Sequence, residues 1–205
     1  MSKFLQQKPI ILASSSANRH ELLASIGLEF TVHAAEIDEQ AIKHHFQDED
    51  PKQIANRLAQ QKALTVSERY PHQYIIAADQ LCHCEGVLFD KPLTHERALQ
   101  QLMALQSKTH QQICAMAIAY QGAIIWSEQD IATLTMKPLS ADTLDAYLQE
   151  DRPYHSCGSY HYEQSGKWLF QSVIGSDTSI QGLALMPLVK ALEELGIVAL
   201  ALPMA

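Results

Sequence analysis

Two tight breaks fall inside a chain that otherwise trades short apolar runs for helical stretches. QLCHCEGVLFDKP (80–92) turns at Glu85-Gly86, and ICAMAIAY is parted from AIIW by Gln121-Gly122. Turn dipeptides between strand-like runs signal β-hairpins. Hairpins set among helices argue against a purely parallel, doubly wound sheet. They point instead to an α/β chain with a mixed sheet.

The remaining elements follow from periodicity and caps. Ile10, Ile11 and Leu12 form an apolar run that meets Ser14, Ser15 and Ser16, and a helix follows from Arg19 to Ile26. Leu22, Leu23 and Ile26 share its face, and Gly27 is placed to stop it. EFTVH (29–33) alternates like a strand, and AEIDEQ (35–40) leads into a polar segment holding His44 and His45. Asp50 caps a helix with Pro51 first, running through Tyr70 until Pro71 ends it. YIIAAD (74–79) reads as a short strand finishing on a carboxylate. Thr94 caps THERALQQLMAL (94–105), and DIATLTMKP continues the second hairpin in strand-like alternation. Ser140 caps ADTLDAYLQ, whose Leu144, Tyr147 and Leu148 face inward. A polar loop through Cys157 and Gly158 precedes a strand, KWLFQSVIG. The last helix is PLVKALEEL, with Pro187 first and Gly196 after it.

With 205 residues, 47% hydrophobic and 19% charged, the chain suits one large domain, residues 1–205, or two intimately packed lobes. No apolar run approaches the ~20 residues of a membrane span, and MSKFLQQKPIIL lacks the pattern of a signal peptide. The four cysteines have no framework spacing, which predicts reduced thiols and a cytoplasmic protein. A net charge of -8 argues against binding a nucleic acid polymer. It leaves room for a small polyanion held by a few focused cations or by a metal ion.

The strand-to-helix junction IILASSSANRHELL admits two readings. One serine could simply cap the helix. Alternatively, hydroxyls, free backbone N–H groups and the Arg19 guanidinium together suit a phosphate. There is no phosphate-loop, dinucleotide or nucleophile-elbow motif. His20-Glu21 and His95-Glu96 begin like a zinc-protease helix, but Ala24 and Leu99 stand where the second histidine belongs. In Cys82-His83-Cys84, strand alternation sends the cysteines to one face and the histidine to the other, so a structural role is expected. Adjacent His44 and His45 diverge in the same way on a helix. Asp79 ends an apolar strand, where α/β proteins collect functional groups, though a turn residue would look the same. Ile54, Leu58 and Lys62 step by four, which sets the amine near an apolar stripe, either engaged or snorkelling outward. Lys91 in Asp90-Lys91-Pro92 and the carboxylates of Asp38 and Glu39 read as surface groups when taken singly.

In order, however, Ser-x-Ser-x-x-Arg (14–19), Asp-Glu (38–39), Leu-Ala-x-x-Lys-Ala (58–63), Ala-Asp-Gln (78–80) and Lys-Pro (91–92) resemble the Maf-type nucleoside triphosphate pyrophosphatases. The likeness continues through Ser107-Lys108-Thr109-His110, Gly158-Ser159-Tyr160 and Gly182-Leu183, nearly the whole chain. It implies an elongated α/β fold of two lobes with a cleft, related to inosine triphosphate pyrophosphatases. It also implies a homodimer and hydrolysis of a nucleoside triphosphate to monophosphate and pyrophosphate with Mg²⁺ or Mn²⁺. Asp79 matches the catalytic carboxylate and, with Glu39, the metal position. Ser14, Ser16, Arg19, Lys62 and Lys91 match the phosphate-handling residues. Substrate choice in the family follows positions matched by Asn18, Gln80 and Glu163, and Ala-Asp-Gln with a late glutamate looks like the branch acting on 7-methyl-GTP. The chain departs from the family at Ala17-Asn18-Arg19, where Pro-Arg-Arg is common, at Cys157-Gly158, and at Ala184. The alternative implied by the family's link to septum formation is a nucleotide-binding regulator without turnover.

Overall fold

A computed structural model describes residues 4–200, with the side chains of residues 4 and 5 left aside. It divides the chain into two compact units. The first holds the chain up to Asp79, then Ala115–Gln129, then everything from Gly182 onward. The second holds Gln80–Cys114 and Asp130–Gln181.

In the first unit, β2 (Ile10–Leu12) lies parallel to β3 (Phe30–Val32) and to the start of β4 (Tyr74–Cys84), with Ile11 opposite both Thr31 and Ile75. Parallel neighbours need crossovers, which α1 (Ala17–Ser25) and α3 (Pro51–Arg69) supply. Between them stands a short helix, α2 (Glu39–His45), in the segment read from sequence only as polar. The α3 helix buries Ile54, Leu58, Lys62 and Val66, the stripe expected from the four-residue step. Ile11, Leu12, Leu23, Ile54, Leu58, Ile75 and Ile76 form the dry centre of this unit. A separate ribbon pairs β1 (Phe4–Gln6) antiparallel with β9 (Val198–Leu200).

The second unit takes the rest of β4, β5 (Val87–Phe89), α4 (His95–Leu105), the opening of β6 (Thr109–Tyr120), the second half of β7 (Ala123–Met136), α5 (Ala141–Asp151), β8 (Phe170–Ile174) and α6 (Asp177–Ile180). Its core gathers Leu102, Leu105, Leu134, Met136, Leu144, Leu148 and Tyr160. The last helix, α7 (Leu185–Glu194), belongs to the first unit. Strand order is β3-β2-β4-β6-β7-β8 with β5 on β4, so the sheet is mixed, as the hairpins indicate. Both expected breaks are tight turns: Glu85 and Gly86 have φ of 50° and 83°, and Gln121 and Gly122 have 52° and 73°.

Three expectations need correction. Asp79 does not end a strand: β4 continues to Cys84, because the apolar run resumes at Leu81 and Cys82 and the strand goes on to pair with β5, Cys82 opposite Phe89 and Cys84 opposite Val87. The segment from Lys167 does not start as a strand; Ser165–Leu169 is a turn of 3₁₀ helix, pinned by a 2.7 Å bond from Ser165 to Asp151, and β8 begins only at Phe170. The last helix starts two residues before Pro187, which sits within its first turn where no N–H is needed.

Candidate active site in the first unit

The junction after β2 shows how the serines divide their work. Ser16 is the N-cap of α1, its hydroxyl accepting from the Arg19 N–H at 3.4 Å, so the capping reading holds for this serine. Ser14 is buried, and its hydroxyl oxygen accepts from the Ser16 N–H at 3.2 Å and from the Arg19 guanidinium at 3.4 Å. Arg19 in turn donates through Nε to the Gly182 carbonyl at 2.7 Å. The guanidinium is therefore fixed by the backbone on one side and presents its remaining donors beside Ser14. Asn18 lies in the first turn of the same helix.

Lys62 answers the question its spacing raised. It is buried, and its ammonium lies 2.5 Å from Asp79 Oδ1 and 2.8 Å from Glu39 Oε1. Lysines are rarely this buried without a partner, and here two carboxylates from two other elements supply one. Asp79 comes from β4, and Glu39 opens α2 behind its cap Asp38, whose side chain accepts from the Ala41 N–H. Only one oxygen of Asp79 is used: Oδ2 is buried and without a hydrogen-bond partner among the described residues. A buried carboxylate oxygen left this way is an acceptor waiting for a ligand, water or cation. Ser14 lies two residues past Leu12 and Asp79 three past Ile76, and Leu12 and Ile76 are register partners. Ser14, just past β2, and Asp79, within β4, therefore stand at similar heights along adjacent parallel strands.

The other expected residues lie in the second unit. Gln80 donates its amide to the Ser179 and Ile180 carbonyls at 3.2 and 2.6 Å, so both donors serve the fold and only its carbonyl oxygen could read a base. Lys91 is exposed; its neighbour Asp90 is tied through its carbonyl to the Gln101 amide at 2.9 Å. Glu163 is exposed in a turn closed by bonds from Gln164 and Gly166 N–H to the His161 carbonyl. Cys82 and Cys84 are buried while His83 accepts from the Gly86 N–H, which is the structural role expected. All four cysteines are free thiols. Sequence reasoning missed the Asp130–Ser179 hydrogen bond and the Arg57 contacts to Phe46 and Glu49, since none of these three pairs has a local spacing signal.

Among the described residues no group of three or more His, Cys, Asp and Glu side chains could hold a metal, and no helix is long and apolar enough to cross a membrane. The class is thus a mixed α/β protein with a buried lysine clasped by two carboxylates beside a serine–arginine turn. Residues 9–195 match the family described as Maf-like protein. The chain belongs to the Maf family. A nucleoside triphosphate pyrophosphatase of Legionella pneumophila (strain Paris) is 50% identical over 198 residues, which are 97% of this chain and 99% of that one. A protein of the same name from Nitrobacter hamburgensis is 41% identical over 202 residues, 98% of this chain and 100% of that one. Among solved structures, the Staphylococcus aureus Ham1 protein aligns with a TM-score of 0.37 and 14% identity over 63% of this chain and 71% of its own.

Proposed function

We propose that this chain hydrolyses a nucleoside triphosphate to the monophosphate and pyrophosphate, the activity named for its relatives at up to 50% identity. The observation that carries the reading in the structure is the buried Lys62 held between Asp79 and Glu39, with Asp79 Oδ2 unengaged. Water adds to the α-phosphorus, the bond from that phosphorus to the bridging oxygen breaks, and pyrophosphate leaves with the electron pair. Asp79 Oδ2 orients the water and accepts its proton, while the Lys62 ammonium holds Oδ1 and so fixes how the carboxylate faces. Ser14 and Arg19 donate to phosphate oxygens, a geometry suited to charge-assisted contacts.

Two carboxylates fit Mg²⁺ or Mn²⁺ better than a full protein cage would, because such ions commonly take one or two carboxylates and complete their shell with water and phosphate oxygens. Glu39, together with Asp79, would hold it, which leaves Asp79 Oδ2 for the water. When bound, the ion supplies positive charge to the phosphoryl oxygens.

The finer reading is a modified purine substrate such as 7-methyl-GTP. Guanine offers two adjacent donors, which one carboxylate accepts, and N7 methylation adds positive charge that favours Glu163. Asn18, Gln80 and Lys91 join Glu163 in this assignment on the family likeness, as do a homodimeric state and a cytoplasmic setting. Incubation with a panel of triphosphates and Mg²⁺ or Mn²⁺, with products separated chromatographically, tests the proposal. Pyrophosphate and monophosphate are expected. Orthophosphate would make the chain a phosphatase, and binding without turnover would make it a regulator.

A further inference from the structure

We infer that Arg57 is a positioning residue that sets how firmly Glu39 is presented at the lysine–carboxylate centre. This rests on the pyrophosphatase reading above. The α2 helix has seven residues and buries none of them fully. A helix this short has little stability of its own and takes its position from packing. Ile42 and Lys43 are half-buried, and α2 is tied to α3 near both of its ends.

Its N-terminal end is held by the ion pair from Glu39 to Lys62 on α3, and its C-terminal end is held by Arg57, also on α3. The Arg57 guanidinium lies 4.3 Å from the ring centre of Phe46, the residue that caps α2 at its C-terminus. The same guanidinium donates through Nε to Glu49 Oε2 at 3.0 Å and through Nη2 to Glu49 Oε1 at 3.1 Å. Glu49 is joined back to Phe46 by a hydrogen bond from its N–H to the Phe46 carbonyl at 2.9 Å. One planar side chain thus grips a ring with its face and a carboxylate with its edge, a combination a lysine cannot reproduce. The segment from Phe46 to Glu49 is clamped to α3 at that point.

The two anchors differ in what they do during function. Lys62 and Glu39 belong to the polar centre, and the contact between them has to adjust when an ion or a triphosphate arrives. The Arg57 grip lies at the far end of α2 and touches neither Asp79 nor Lys62. It can therefore hold the helix while the Glu39 end exchanges partners. Without it, α2 would be held less firmly at its C-terminal end, and the Glu39 carboxylate would be less well ordered when a cation binds.

The test pairs Arg57→Ala with Glu39→Ala in a double-mutant cycle, and reads hydrogen exchange alongside activity. Arg57→Ala should raise the Mg²⁺ or Mn²⁺ concentration for half-maximal hydrolysis by on the order of three- to tenfold, the range of one exposed cation–π and ion-pair grip. kcat at saturating metal should stay within about twofold, because no reacting group is touched. In the Glu39→Ala background the same change should have no further effect on metal dependence. Arg57→Lys should behave like Arg57→Ala. In the metal-free protein, the Ile42 and Phe46 amides, which donate within α2, should exchange faster in Arg57→Ala while amides of α3 are unaltered. Unaltered half-saturation, an equal effect with and without Glu39, or unaltered exchange in α2 would each overturn the inference. If the unmodified protein hydrolysed no triphosphate, the pyrophosphatase reading would fail, whereas exchange in α2 would still decide the clamp.

Discussion

An ammonium buried between two carboxylates is costly to desolvate, and Lys62 recovers that cost only while both Asp79 and Glu39 face it. Removing the cation should therefore harm the protein more broadly than neutralising one anion. Lys62→Met strands a buried carboxylate and should lose about 3 kcal/mol of stability together with turnover. Asp79→Asn leaves Lys62 its Glu39 partner and should unfold at a denaturant concentration nearer that of the unmodified protein, while kcat falls by at least ~10²-fold. Urea titrations beside kcat measurements check the contrast; equal stability of the two variants would contradict it. A second titratable group lies in the second unit. Burial lowers the pKa of His110 from 6.5 to about 4. Gln112 donates to the Tyr160 hydroxyl, which is then free to donate to the neutral His110 Nε2. The folded state thus binds fewer protons than the unfolded chain between these values. Stability should be complete above about pH 6.5 and fall by on the order of 3 kcal/mol as pH drops to about 4. His110→Gln, which keeps an acceptor for Tyr160, should flatten that slope in denaturation curves measured across this range.

Helix starts were legible in the sequence because caps are local: Asp50, Thr94 and Ser140 each accept from an N–H two or three residues ahead. The inward face of α5 was legible for the same reason, since Leu144, Tyr147 and Leu148 follow from spacing alone. What could not be read was anything decided by a distant partner. Asp79 looked like a strand end because a carboxylate seldom sits inside an apolar strand, and only Lys62, seventeen residues earlier on α3, makes it tolerable there. The 3₁₀ turn after Glu163 was hidden for a related reason: its Gly166 packs on the backbone. A Cβ at that glycine would lie 2.4 Å from the His161 carbonyl oxygen. Gly166→Ala should therefore force the turn open and destabilise the protein by about 1–3 kcal/mol. Its melting temperature checks this, and an unaltered value would show the turn to be more pliant than its packing indicates.

At the scale of the whole molecule, hairpins among helices led to the mixed sheet, and ordered short motifs led to the family. The fold class needed only periodicity and turn residues. The centre needed the chain to be folded, since α2, α3 and β4 bring Glu39, Lys62 and Asp79 together from separate stretches. The proposed base assignment rests on Glu163, and two measurements test it. The unmodified protein should cleave 7-methyl-GTP or another modified purine triphosphate with a higher kcat/KM than UTP or dTTP. Glu163→Gln should narrow the gap by roughly tenfold, the factor that a 1.4 kcal/mol loss implies. A preference for pyrimidines would remove the base assignment and leave the reaction class standing.

The bond that breaks can be followed with an isotope. Hydrolysis of a triphosphate in ¹⁸O-labelled water, read by mass spectrometry of the products, places the label in whichever fragment water attacked. Attack at the α-phosphorus beside Asp79 predicts label in the nucleoside monophosphate and none in pyrophosphate. Label in pyrophosphate or in orthophosphate would contradict the account.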